Sequence, residues 1–195
     1  MTFYSPTLIV TRLLIFKGTG AVYDEQFHYG LNVIRGQNSS GKTTVVKALI
    51  YGLGGAVPNL TTELKLCDYV VVEVQINGEF ATLKRNITES NKEGMAIYWG
   101  QYEESLTTGT SKWLQYSYSR SESKESFTQK LFSAMKMPEV KGYQSAIVTM
   151  HQMLRLMYGD QSTPCNEIFT SDTFDSQDVR QAVGDLLCGI YNDDL

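Results

Sequence analysis

An eight-residue run, Gly36-Gln-Asn-Ser-Ser-Gly41-Lys42-Thr43, constrains this chain more than any other feature. It lies between Leu31–Arg35 (LNVIR) and Thr44–Tyr51 (TVVKALIY). The first flank is short and apolar, which predicts a buried strand. The second carries apolar residues at 45, 46, 49 and 50, the spacing of a helix with one buried face, and Gly52, Gly54 and Gly55 end it. Strand, glycine loop and helix in that order make a phosphate cradle. The glycines let consecutive N–H groups converge on phosphate oxygens, and the helix N-terminus adds positive potential. The run matches the complete Walker A pattern. It makes Gly36, Asn38, Ser39, Ser40 and Gly41 the cradle, Lys42 the partner of the β- and γ-phosphates, and Thr43 the Mg²⁺ ligand, with Thr44 within reach of the α-phosphate.

The elements around the motif predict an α/β fold. Thr7–Phe16 reads as a strand, residues 17–20 as a turn and Ala21–Phe27 as the returning strand. Tyr69–Ile76 and Phe80–Asn86 flank Asn77-Gly78, a two-residue hairpin turn. Met95–Trp99 adds a strand, and residues 100–123, rich in Ser, Thr, Tyr and Gly, read as a loop or insertion. Lys124–Met135 has helical spacing and stops before Pro138. Residues 146–158 read as a helix capped by Thr149 that leads into a short strand, and Ser176–Leu187 as a helix with Asp175 as N-cap. The expected architecture is a mixed sheet carrying the Walker A strand and its helix, plus an antiparallel sheet built from the two hairpins.

Composition narrows the function classes. No run of 18 apolar residues exists, and the N-terminus has neither a charged leader nor a cleavage site, so no membrane span or signal peptide is expected. Cys67, Cys165 and Cys188 fit neither a disulfide framework nor a zinc site, which points to a reducing cytoplasm. The net charge of −4 hides an asymmetry: residues 1–159 hold 16 basic and 13 acidic groups, residues 160–195 one and eight. A local basic face on the first part therefore stays compatible with a nucleic-acid partner.

A cradle alone is not a hydrolase. Hydrolysis also needs an acidic residue on a second strand and a group that orients water. No clean apolar run ending in Asp-Glu follows; residues 154–160 come nearest, interrupted by Arg155 and Gly159.

The order of elements, with Asn32-Val-Ile-Arg-Gly-Gln-Asn-Ser-Ser-Gly-Lys-Thr-Thr44, resembles the N-terminal half-head of SMC-type and SbcC-like ATPases, an ABC-type P-loop NTPase lobe. Ser39 stands where most members have Gly. Leu156-Met-Tyr-Gly-Asp-Gln161 is similar to the family's Q-loop, which implies that Gln161 touches Mg²⁺ and senses the γ-phosphate; Lys17 stands near the place of a nucleotide-contacting Arg. The resemblance implies an N-terminal lobe over 1–163 and an acidic exit segment over 164–195 leading to a coiled coil. It also implies ATP and Mg²⁺ as cofactors, DNA as a partner, and a second head, as a homodimer, that sandwiches the nucleotide. Signature motif, Walker B, catalytic Glu and switch His belong to the C-terminal half of the head, and none is present in this sequence. Residues 154–161 and 183–191 look most like SMC-like subunits of Lamassu-type bacterial defence systems, which implies an effector subunit.

Other candidates have plainer roles. His28 and His151 lack a partner pattern; Gln144 and Gln152 compete with Gln161, Gln152 from a helix face. Lys84, Arg85, Lys112, Arg120, Lys124 and Lys130 suit DNA phosphates or a solvated surface, and Tyr98, Tyr102, Tyr116 and Tyr118 suit base stacking or packing of the insertion. Met150, Met153, Leu154 and Met157 read as core filling. The expected function is ATP-dependent head engagement coupled to DNA sensing. Two other classes remain open: a self-contained P-loop kinase or GTPase using Asp160, and an ATP-holding scaffold without catalysis.

Overall fold

The computed structural model describes residues 5–57, 59–88, 93–121, 124–137, 148–159 and 177–188. Six strands, β1 (Leu8–Lys17), β2 (Gly20–Gln26), β3 (Tyr69–Ile76), β4 (Glu79–Asn86), β5 (Met95–Tyr98) and β6 (Leu114–Tyr116), form one sheet in the order β2-β1-β3-β4-β5-β6. Every pairing between these strands is antiparallel. Among the described residues the expected mixed sheet and separate antiparallel sheet are thus replaced by one antiparallel sheet. The β3–β4 turn follows the Asn77-Gly78 signal, with both residues at positive φ.

Alternation sets which face is buried. Val70, Val72, Val74 and Ile76 of β3, with Ala81 and Leu83 of β4 and Met95 and Ile97 of β5, line one continuous core. In β1 the parity changes part-way: Leu8 and Val10 reach that core before Thr11, Leu13 and Ile15 after it. The β1–β3 register shifts between Val10 and Arg12, and this bulge is what lets both halves of the strand bury their apolar set. Thr11 Oγ1 donates to Glu73 Oε1 at 2.7 Å, fixing the bulge to β3.

Helix α1 (Lys42–Gly52) lies across the core face of the sheet. Its close approach requires Gly52: a Cβ there would stand 2.4 Å from Val72 Cγ2 and 3.0 Å from Val70 Cγ1. Arg85 holds the end of the same helix. Its side chain is fully buried on the core face of β4, and Nη1 donates to Tyr51 O (2.9 Å) and Gly55 O (2.8 Å). The guanidinium also stacks on the Tyr51 ring at 3.9 Å, and Tyr51 Oη donates to Asn86 O at 2.6 Å. Arg85 therefore belongs to the core, not to a DNA-facing surface.

Further helices complete the core. In α4 (Phe127–Ala134), Ser126 and Gln129 form a capping box, so the helix starts three residues after the predicted Lys124. It ends at Ala134 through bonds from Lys136 N to Ser133 O and Met137 N to Phe132 O, before Pro138, which lies outside the described residues. Helix α5 (Met150–Met157) carries the expected Thr149 cap, but Leu156 and Met157 are helical, so the predicted strand there is not formed. Helix α6 (Gln177–Leu187) packs Val179, Ala182 and Val183 into the same core; its expected cap, Asp175, lies outside the described residues.

The outer sheet face carries a smaller cluster of Leu14, Phe16, Val71 and Tyr102. Tyr102 opens α3 (Tyr102–Thr107), so residues 100–123, expected as a loop or insertion, contain among the described residues a helix, a 3₁₀ turn at Thr110–Lys112 and the edge strand β6. Glu73 Oε2 accepts the Tyr102 N–H at 2.7 Å, and Arg12 bridges Asp24 of β2 (2.7 Å) to Glu103 of α3 (2.6 Å).

Replacing Arg85 with Met should cost about 2–4 kcal/mol, because two buried carbonyls lose their donor while the guanidinium's own desolvation is relieved. Urea denaturation checks this; an unchanged or higher midpoint would contradict it. The Arg12 guanidinium holds the Asp24 carboxyl below its usual range. A depressed folded-state value gives stability that is present above about pH 4 and lost as pH falls through that value. Asp24→Asn should flatten that acid limb of the pH–stability curve, read by thermal melts between about pH 2 and 5.

Candidate functional site

The approach to the glycine loop departs from expectation. Leu31–Arg35 is not a strand and is not buried: Leu31 is 82%, Val33 64% and Ile34 39% exposed. Asn32, within this segment, closes the turn that precedes it: its Oδ1 accepts from His28 N (3.1 Å) and its Nδ2 donates to His28 O (2.8 Å). Tyr29 Oη bonds Gln75 Oε1 on β3. No strand of the sheet pairs with residues 31–35 among the described residues, so their apolar side chains have no neighbour to bury against.

The loop itself has the geometry of an anion cradle. Ser39 (φ 62°) and Gly41 (φ 86°) both adopt left-handed backbone, and Ser40 N donates to Gln37 O at 3.3 Å. The Gly position costs nothing; Ser39 holds the same region with a side chain. Gly41 is the N-cap of α1 and supplies no side-chain cap; its carbonyl accepts from Val45 N (3.0 Å). The N–H groups of Lys42, Thr43 and Thr44 precede the first intrahelical bond and are the donors an anion takes up. At Gly36 a Cβ would meet Ser40 Oγ at 2.3 Å, so the loop's two ends lie close together.

Lys42 turns back on the loop: Nζ donates to Gly36 O (2.9 Å) and Gln37 O (2.7 Å). Its ammonium thus sits over the cradle, held by carbonyls that a phosphate oxygen can replace. Thr43 is exposed at the helix start, and Asn38 is exposed in the loop. The Thr44 hydroxyl is shared with Thr61 Oγ1 at 3.0 Å, a partner that local sequence did not reveal. Thr61 caps α2 (Thr62–Lys65), and Lys47 Nζ donates to Asn59 O at 2.8 Å. The segment around α2 is therefore strapped along the N-terminal half of α1.

The other expected site residues are not gathered here. Lys17 ends β1 in the turn beside Cys67 and Asp68, and makes no hydrogen bond to the loop. Gln161 and Gln144 lie outside the described residues. Gln152 serves the α5 capping box, accepting from Thr149 N at 2.9 Å. His151 Nδ1 accepts from Ala56 N at 3.2 Å and so ties α5 to the chain just beyond α1. Among the described residues no cluster of three His, Cys, Asp or Glu forms a metal site, and no helix is long and apolar enough to cross a membrane.

The AAA domain family matches residues 24–179. The chain belongs to that family. It is a P-loop ATPase domain that binds ATP, and the family occurs in SMC- and SbcC-like ATPases. Neither the curated proteins nor the solved structures gave a match. In this AAA domain the matched span runs from the last residues of β2 to the first residues of α6, and the loop of residues 36–43 falls well inside it.

Lys42→Ala should weaken ATP binding at least tenfold while leaving the thermal midpoint nearly unchanged, because only the exposed Gly36 and Gln37 carbonyls lose a partner. Ser39→Gly should relieve left-handed backbone at a cost-free position and raise stability by up to about 1 kcal/mol without loss of binding. Calorimetric titration and urea melts read both; unimpaired binding by Lys42→Ala would contradict the cradle geometry.

Proposed function

We propose that this domain is the ATP-binding half of a composite, SMC-like ATPase head, completed by a second half that carries the signature motif and Walker B. The observation that carries the reading is the exposed apolar segment Leu31, Val33 and Ile34 immediately before the loop. A strand-length apolar run leading into a phosphate cradle needs a neighbouring strand to bury it. The antiparallel sheet of this chain provides none among the described residues. A partner strand laid beside residues 31–35 buries that run and brings an acidic strand end to the cradle.

In this reading the ATP phosphates lie against the N–H groups of residues 42–44. Lys42 exchanges the Gly36 and Gln37 carbonyls for β- and γ-phosphate oxygens. Thr43, and Gln161 beyond the described residues, hold Mg²⁺, which when bound neutralises phosphate charge. The fit rests on the uncapped helix N-terminus and the left-handed residues of the loop. A second head, in a homodimer, closes over the nucleotide, so that ATP biases a two-state assembly.

DNA is the proposed partner of the closed heads. The excess of basic over acidic groups in residues 1–159 and the exposed Lys112, Arg120 and Lys124 support a salt-sensitive phosphate contact. The resemblance to Lamassu-type subunits supports a role in bacterial defence with an effector subunit.

Hydrolysis by residues 1–195 alone, and after addition of the complementary half, tests the proposal. The account expects ATP binding without turnover by the chain alone and turnover on complementation. Val33→Asp should abolish complementation and leave ATP binding intact, because Val33 is exposed in the isolated chain. Turnover by the isolated chain would overturn the composite reading.

A further inference from the structure

The outer face of the sheet holds a cavity of about 210 Å³ that the ATP site does not use. Its lining is Lys84, Asn86, Gly94, Ala96, Thr110, Trp113 and Gln115. The cause is local. Lys84, Ala96 and Gln115 form one cross-strand row over β4, β5 and β6. In the middle of that row the strand has only a methyl group, and Gly94, next along the same face, has no side chain at all. The floor is therefore low, while Lys84, Asn86 and Gln115 rise on its sides. The 3₁₀ turn and Trp113 make a wall, and Trp113 is braced against Tyr98 with ring centroids 5.8 Å apart. Gly94 is required there, since a Cβ would stand 2.9 Å from Tyr116 O.

The chemistry of the lining is selective. One indole offers a stacking face, two carboxamides offer paired donor and acceptor groups, and Lys84 offers a cation. Among the described residues no carboxylate lines the cavity and Lys84 has no acidic partner; its Nζ rests over the Tyr69 ring at 4.0 Å. Lys112, in the wall turn, adds an exposed second cation. The volume lies below the roughly 300 Å³ at which sites for drug-sized ligands begin, so it suits one small planar ring. A neutral saccharide would leave Lys84 unused, whereas a base carrying a phosphate satisfies ring, amide and cation together.

We infer that this cavity takes one unstacked base of a single-stranded nucleic acid, stacked on Trp113, edge-bonded by Asn86 and Gln115, with an adjoining phosphate on Lys84. The inference refines the nucleic-acid part of the proposed function and is independent of the ATP cradle. It also gives the segment of residues 100–121 a purpose: α3 docks it on the sheet through Tyr102 and Glu73, and its following turn walls the cavity.

The chain has two tryptophans, so Trp99→Phe leaves Trp113 as the single indole reporter. In that background, 15-nucleotide single strands of thymidylate and adenylate should quench Trp113 emission, and a duplex of equal length should not. Trp113→Ala and Lys84→Met, assayed by anisotropy of labelled single strand, should each weaken binding about tenfold. Ala96→Leu, which fills the floor, should abolish the quench while circular dichroism and ATP binding stay unchanged. Duplex binding at low salt without single-strand preference or quench would overturn the base site and leave the proposed DNA partner standing. Absence of binding to either form would overturn both. Quenching by a neutral saccharide with none by the oligonucleotides would likewise overturn the inference.

Discussion

A buried cation, Arg85, ties the helix that carries the nucleotide loop to the sheet. Arg85 is enclosed on the core face of β4, where its guanidinium donates to Tyr51 O in the last turn of α1 and to Gly55 O just beyond the helix, and stacks on the Tyr51 ring. The Tyr51 carbonyl belongs to the negative end of the helix whose positive end forms the anion cradle. Burial penalises the charge, and the Arg85 pKa is lowered by that desolvation, yet two carbonyl bonds and a ring face compensate at one point. Because Gly52 lets α1 touch Val70 and Val72, the cation and the close approach together fix where Lys42, Thr43 and Thr44 stand relative to β3 and β4.

From this anchor the two faces of the sheet take different tasks. The inner face is a core of aliphatic strands under α1, α4, α5 and α6, and it sets the position of the cradle. The outer face carries the small apolar cluster of Leu14, Phe16 and Val71 under Tyr102 of α3, and, over β4, β5 and β6, the low floor at Ala96 and Gly94. The helix that carries the glycine loop and the low-floored cavity therefore lie on opposite faces of one sheet, joined through β4, whose neighbouring residues Lys84 and Arg85 point to opposite faces.

Local patterns were legible where one segment decides its own structure. The Asn77-Gly78 turn, the strand before it, the Thr149 cap and the loop of residues 36–43 needed no distant partner. What failed depended on neighbours. Leu31–Arg35 reads as a buried strand because it is apolar, but burial requires a strand beside it, and the sheet passes elsewhere. The mixed sheet was expected for the same reason. Lys84-Arg85 reads as a basic pair, yet strand alternation sends one outward and one into the core, a distinction visible only once β4 has its register. Residues 100–121 lacked a period because α3 is six residues long and is held by its capping box and by Glu73 rather than by an apolar stripe. The Thr44–Thr61 pair depends on how the segment after α1 folds back, which no local signal encodes.

The central claim is that residues 31–35 are an incomplete strand awaiting the other half of an ATPase head. Hydrogen–deuterium exchange of those amides tests it most directly. The account predicts exchange near the unprotected rate in the isolated chain, with or without ATP, and strong protection once the complementary half is present, while β3 and β4 stay protected throughout. Protection of residues 31–35 already in the isolated chain, or none on complementation, would contradict it.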